Sequence, residues 1–182
     1  MQISIDGFVS DNGGKTFIWD DEVKAFSVAN TEGVDCIILG RNTAEGFIPH
    51  WASVASNPED PDFAVGRTLT EIPKIVFSDT LDKSKWANTE LAKGEINEEI
   101  NKLKNQPGND MIVYGGSGFV SSLIKEGLID QYYLLVNPFA VGKGSTIFQS
   151  LQSKLALTLS KSRQFNCGTV LLIYEPKKGS AD

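Results

Sequence analysis

Asp110-Met-Ile-Val-Tyr-Gly-Gly-Ser-Gly-Phe-Val-Ser-Ser-Leu-Ile-Lys-Glu-Gly127 runs an apolar strand directly into glycines that open an amphipathic helix. Glycines without a β-carbon let a ligand approach the main chain, and the free amides and positive dipole end of a helix attract an anion. Gly115, Gly116, Ser117 and Gly118 therefore read as a phosphate cradle, the alternative being glycines that only let a helix pack closely on a sheet. A second strand-to-helix junction, Cys36-Ile-Ile-Leu-Gly-Arg-Asn-Thr43, adds a fixed cation at Arg41 and a hydroxyl at Thr43 after Gly40. Two such junctions point to a nucleotide. Both are expected at the C-terminal edge of one sheet, where ligands gather in open α/β folds.

The flanking sequence supplies the elements of such a fold. Ile3-Ser-Ile5 reads as a strand, followed by Asp6-Gly7 and a polar loop carrying Gly13-Gly14. Asp20 or Asp21 caps a helix bearing Val23 and Phe26, and the strand 35–39 completes a β-α-β pattern. Pro49, Pro58 and Pro61 make the region 48–70 read as a long irregular segment, a lid or interface loop. Lys74-Ile-Val-Phe77 reads as a buried strand, and Ile96, Ile100 and Leu103 as the apolar stripe of a helix. Gly127 stops the helix of the opening stretch before a strand over 129–137. Leu155-Ala-Leu-Thr-Leu159 and Thr169-Val-Leu-Leu-Ile-Tyr174 flank Asn166-Cys-Gly168, which predicts an antiparallel hairpin on a mainly parallel sheet. One domain over 1–176 with a polar tail at 177–182 is the expected organisation.

Composition narrows the function. With 182 residues, 41% of them hydrophobic and 22% charged, the chain is long enough for a sizeable core and ordinary for a globular protein. A net charge of -6 disfavours a nucleic-acid or anionic-membrane surface, because those partners need a basic face. There is neither a membrane-spanning apolar run nor a secretory pattern at the start, so a cytoplasmic location is expected. Cys36 lies in an apolar strand and Cys167 in a turn, positions that suit packing and surface rather than a disulfide framework. His50 is the single histidine, and neither a metal site nor a G-x-S-x-G hydrolase motif is indicated.

Asp6 follows the first strand, where its carboxylate would point into a cleft and could orient or protonate a nitrogen-rich substrate; an Asx-turn with Gly7 competes with that role. Phe8, Trp19 and Phe47 could stack on a flat substrate ring or simply pack at strand ends.

Several segments together resemble the dihydrofolate reductase-like superfamily, in particular the branch of the C-terminal reductase domain of bacterial riboflavin biosynthesis proteins. They are Ser4-Ile-Asp-Gly-Phe-Val9, Leu39-Gly-Arg-Asn-Thr-Ala-Glu-Gly-Phe47, Lys74-Ile-Val-Phe-Ser-Asp-Thr-Leu81, Val113-Tyr-Gly-Gly-Ser117 and Gly127-Leu-Ile-Asp-Gln-Tyr-Tyr-Leu-Leu-Val-Asn-Pro138, then Gly142-Lys-Gly144 with Ile147-Phe148. The resemblance implies a three-layer α/β/α fold with a mixed, mainly parallel central sheet that binds NADPH. It places Gly40, Arg41 and Thr43 at the adenosine side and pyrophosphate, Ser78 near the adenosine phosphate, and Gly115, Gly116, Ser117, Gly118, Phe119 and Val120 around the pyrophosphate. Asp6 would face nicotinamide and substrate. It further implies hydride transfer to a phosphoribosylamino-pyrimidine or a pteridine, and a homodimer, which the apolar strand Tyr132-Tyr-Leu-Leu-Val136 also favours. Asp79 departs from the pattern, because relatives often carry a basic residue there, and this leaves NADH open as the cofactor. A nucleotide-binding or ligand-sensing protein without catalysis is the alternative on the same fold.

Overall fold

Cys36, Ile37, Ile38 and Leu39 are 8%, 0%, 2% and 0% exposed, the signature of an interior strand covered on both faces. They belong to β2 (Val34–Gly40), which pairs in parallel with β3 (Lys74–Phe77) on one side and β5 (Asp110–Val113) on the other. Burying each such aliphatic side chain contributes roughly 2 kcal/mol. Burial also pushes the Cys36 thiol up to about 11, so it packs as an apolar group. Cys36 and Cys167 are both free thiols. The computed structural model describes residues 1–9 and 17–177; the loop with Gly13-Gly14 and the tail 178–182 lie outside the described residues.

The chain divides into two units, Lys24–Gly116 and the pair of stretches Met1–Val23 with Ser117–Asp182. In the first, β4 (Thr89–Ala92) adds to β3, giving a wholly parallel sheet of order β4-β3-β2-β5. Its helices are α2 (Arg41–Ala55), α3 (Phe63–Glu71) and α4 (Ile96–Lys104). In the second, β1 (Gln2–Ser4), β6 (Tyr132–Asn137), β7 (Leu157–Gln164) and β8 (Val170–Pro176) form a sheet of order β1-β6-β8-β7. There β1 and β6 are parallel, and β8 is antiparallel to both neighbours. The mainly parallel pairing and the C-terminal hairpin β7–β8 agree with the sequence.

Local chemistry explains the boundaries. Helix α1 (Asp21–Ala29) starts where Asp20 Oδ1 accepts the Val23 amide at 2.9 Å, a capping contact worth about 1 kcal/mol. Helix α5 (Ser117–Lys125) ends with Gly127 at φ 66, the Gly127 amide donating to Ile124 O and the Leu128 amide to Leu123 O, a Schellman arrangement. Gly168 at φ 88 closes the β7–β8 turn, where the Phe165 amide donates to Thr169 O.

The region 48–70 is not an irregular lid. Helix α2 continues through Pro49 to Ala55, and α3 follows after the turns that hold Pro58 and Pro61. Proline removes one amide, the partner of the Glu45 carbonyl, yet packing of Ala44, Ile48 and Val54 keeps α2 whole. Helix α3 crosses at close range: a β-carbon on Gly66 would lie 2.7 Å from Val54 Cγ1 and 2.9 Å from the Ala55 nitrogen. Because a backbone atom cannot yield cheaply, Gly66→Ala should destabilise by about 1–2 kcal/mol, overpacking exceeding the gain in helix propensity. A lower denaturation midpoint with unchanged m-value is the expected result; a raised midpoint would show that the two helices part freely.

Lys74 is only 3% exposed at the start of β3. Its ammonium donates to Thr70 O at 2.9 Å and Ile72 O at 2.6 Å, capping the C-terminal end of α3 with a cation. Burial pushes its pKa down to about 8.

Candidate functional site

In the parallel sheet, β2, β3 and β5 all end at one edge, so Gly40, Ser78 and Tyr114 emerge there together. The chain lays down β2, β3 and β4 in one direction and then returns to place β5 on the other side of β2. That reversal is a topological switch point, the place where open α/β sheets receive ligands. The two junctions singled out from the sequence flank it.

At the first junction Gly40 is the N-cap of α2 and supplies no side-chain cap, and the first turn carries no acidic residue. The leading amides of α2 are thus left for an anion. Arg41 is exposed; its Nη1 donates to Thr80 Oγ1 at 2.7 Å, and its Nε lies 3.7 Å from Glu45 Oε1. Lys85 holds Glu45 from the other side at 2.5 Å and, with Arg41, keeps that carboxyl below the usual range. Thr43 is half-buried in the same turn of helix. Ser78 is buried, and its hydroxyl accepts the amides of Leu81 at 3.1 Å and Thr80 at 3.3 Å, so it anchors the turn that presents Thr80 and the exposed Asp79. Thr80 was not anticipated from sequence; a threonine two residues after a strand gives no signal by itself.

At the second junction Gly115 and Gly116 have φ of 81° and 79°. Two successive residues in this left-handed region are accessible cheaply only to glycine. Tyr114, just before them, stacks on Phe47 of α2 with ring centroids 5.6 Å apart and planes at 23°. Phe47 also meets Trp51 edge-on at 6.2 Å. One face of Phe47 is therefore taken by Tyr114, whose phenol burial pushes up to about 12. The chain passes from one unit to the other between Gly116 and Ser117.

Within the other unit, Ser117 opens α5, Gly118 is exposed, Phe119 is half-buried and Val120 is 7% exposed. The Val120 side chain is core, which leaves only its main chain for a ligand. Asp6 lies in a tight turn closed by Ser4, whose amide donates to Phe8 O at 2.9 Å and whose Oγ accepts the Phe8 amide at 3.0 Å. The Asp6 carboxylate accepts the Ser4 hydroxyl at 2.5 Å, the Gly142 amide at 2.8 Å and the Val141 amide at 3.3 Å. The serine hydroxyl first, then these amides, hold its pKa below the ordinary value, so it is an anion at neutral pH. Trp19 is half-buried. Asn137, fully buried, accepts the Ile18 amide at 3.0 Å and donates to Leu135 O, Gln2 Oε1 and Ile3 O. Its role in fixing the segment before Trp19 was hidden at the end of a strand, where an asparagine gives no signal of a partner more than a hundred residues away. Among the described residues no group of three or more His, Cys, Asp or Glu side chains could hold a metal ion.

The parallel sheet edge, the glycine junctions and the terminal hairpin define a mixed α/β protein of dihydrofolate reductase-like fold. Dihydrofolate reductase from Enterococcus faecalis, complexed with NADP(H), aligns with a TM-score of 0.58 at 17% identity, covering 97% of this chain and 94% of that one. Residues 1–171 match the family described as the RibD C-terminal domain, and the chain belongs to that family of reductases. A putative riboflavin biosynthesis protein from Shewanella sp. PV-4 is similar over 98% of this chain and 97% of its own, with 23% identity and a TM-score of 0.75. A diaminohydroxyphosphoribosylaminopyrimidine deaminase/5-amino-6-(5-phosphoribosylamino)uracil reductase from Thermotoga maritima is similar over 97% of this chain and 55% of its own, with 15% identity and a TM-score of 0.68. Among the described residues no helix is long and apolar enough to cross a membrane.

Proposed function

We propose that the protein is an NAD(P)H-dependent reductase that transfers hydride to a pyrimidine- or pteridine-like small molecule, in the manner of a 5-amino-6-(5-phosphoribosylamino)uracil reductase. The observation that carries this reading is the switch point between β2 and β5, with an uncapped helix start and Arg41 on one side and two left-handed glycines on the other. Those features fit a dinucleotide: bare main chain for a pyrophosphate and a guanidinium for a phosphate. Bound NAD(P)H would supply the hydride. Gly115 and Gly116 would admit the pyrophosphate to the main chain, and Ser117, Gly118, Phe119 and Val120 would offer the first amides of α5. Gly40, Arg41, Thr43 and Ser78 would serve the adenosine side. Phe8 and Trp19 in one unit, and Phe47 in the other through the face that Tyr114 leaves open, are each candidates for stacking on a flat ring. Asp6, ionised and bonded to main-chain amides, would orient the turn beside the substrate, and the proton would come from ordered water. The homodimer belongs to this reading on the resemblance alone, since Tyr132, Leu134 and Leu135 are buried within a single chain.

Titration with NADPH, followed by NADPH oxidation in the presence of 5-amino-6-(5-phosphoribosylamino)uracil or dihydrofolate, tests the reading. Saturable binding with turnover supports it, and binding without turnover on either compound favours a ligand sensor. Asp79 sets a finer expectation. It is exposed between Ser78 and Thr80, beside the Arg41 contact, where a carboxylate repels a 2′-phosphate and can accept from a ribose hydroxyl. Asp79→Arg should shift selectivity toward NADPH by about 1–3 kcal/mol. Dissociation constants for NADPH and NADH at one ionic strength decide this; an unaltered ratio means that Asp79 points away from the cofactor.

A further inference from the structure

Strands β1 and β6 are parallel neighbours, so the turn after β1 and the turn after β6 leave their sheet at the same edge. Asp6 ties the two turns together through the Gly142 and Val141 amides, and the buried Ser4 hydroxyl fixes the carboxylate from behind. Beyond the tie, Gly142 at φ 77 and Gly144 at φ 157 flank Lys143. Lys143 is exposed and has no ion-pair partner among the described residues. Arg41, Lys85 and Arg163, by contrast, are each matched to a glutamate. An unmatched ammonium in a chain of net charge -6, set at the edge where the parallel strands β1 and β6 end, is free to meet an anion from solution.

We propose that Asp6 is a positioning residue that latches the 141–142 main chain so that Lys143 binds a phosphomonoester on the substrate. The substrate's identity rests on the reductase reading, whereas the anion site does not. Two amide bonds to a carboxylate fix the base of a turn that its glycines would otherwise leave mobile, and this lowers the entropy lost when Lys143 engages a ligand. Asp6 and Lys143 form no ion pair with each other, so the latch does not occupy the ammonium that would meet a phosphate.

Amide NMR with ribose 5-phosphate as probe, and ribose as neutral control, reads the site directly. Ribose 5-phosphate should move the 142–144 amides saturably and ribose should not. Lys143→Met should weaken the response about tenfold, as should Asp6→Asn, while Asp6→Glu, which keeps a carboxylate, should restore part of it. In turnover, Lys143→Met should raise KM for 5-amino-6-(5-phosphoribosylamino)uracil about tenfold with kcat little changed, and the KM of the dephosphorylated riboside should not follow. Shifts confined to Gly115–Gly118, or a response unchanged in Lys143→Met, would overturn the site. A wild-type enzyme that shows the 142–144 shifts but no turnover overturns the reductase reading alone.

Discussion

Gly116→Val should remove most dinucleotide affinity, on the order of 100-fold or about 2.7 kcal/mol, while leaving a folded protein. Gly116 stands at φ 79, directly after another left-handed glycine. A β-branched side chain resists that conformation, which costs roughly 1–3 kcal/mol of stability, and its methyls occupy the approach to the main chain. The stability loss makes the binding test valid only well below the melting transition, with folding checked by circular dichroism. Gly118→Ala is the matched control, because a β-carbon there meets nothing within 4 Å and its φ is not left-handed. Calorimetric titration should give near wild-type affinity for Gly118→Ala and a large loss for Gly116→Val. Equal affinities in the two variants would sink the cradle.

The second large effect concerns stability against pH. Burial holds the Lys74 pKa near 8 in the folded protein, against an ordinary value of 10.5. Between those values the unfolded lysine binds more protons than the folded one, so its contribution to stability rises with pH through this window and is flat below it. The full swing is about 3 kcal/mol. Opposing it, burial raises the Cys36 thiol from 9.0 to about 11 and the Tyr114 and Tyr132 phenols from 10.0 to about 12. These acids ionise first in the unfolded chain, so their contribution falls through pH 9–11 and pH 10–12 respectively. The Lys74 rise is therefore cleanest from pH 8 to 9. The difference between wild type and Lys74→Met in urea denaturation isolates it, because the thiol and phenols are common to both. A difference that stays constant from pH 7 to 10 would mean that the ammonium is solvated in the folded state.

Much of this architecture was legible where local chemistry and burial agree. Ile37, Ile38 and Leu39 read as a buried parallel strand because apolar side chains cover both of its faces. Asp20 and Gly127 marked helix ends because a carboxylate cap and a left-handed glycine act within one turn. Four elements were not legible in full. Helix α3 was obscured by Pro58 and Pro61, which bound it rather than break it, and α2 survives Pro49 because tertiary packing outweighs one lost amide bond. Strand β4, Thr-Glu-Leu-Ala, is a four-residue edge that packs one buried residue, too little for any periodicity. Strand β7 runs five residues beyond Leu159 through Ser160-Lys-Ser-Arg-Gln164, held by main-chain pairing to β8 rather than by its exposed polar side chains.

At the site, glycine and charge were readable and partnership was not. Arg41 and the Gly115-Gly116 pair declare themselves by residue type. That Arg41 reaches Thr80, or that Tyr114 takes a face of Phe47, depends on which strands are neighbours. Asp6 shows the same limit: its position after β1 suggested a site role, whereas the bonds to residues more than a hundred positions away that hold it as an anion tied to main chain could not be read.

The order of synthesis adds a consequence of the divided chain. The stretch Lys24–Gly116 is continuous, so its four-stranded sheet can close as soon as the ribosome has released it. Strand β1 has its sheet partner in β6, more than a hundred residues later. At translation speeds of about 5–20 residues per second, β1 waits on the order of ten seconds with open edges. During nascent growth, Gln2–Ser4 is thus the strand on which premature mispairing or a holding chaperone would act.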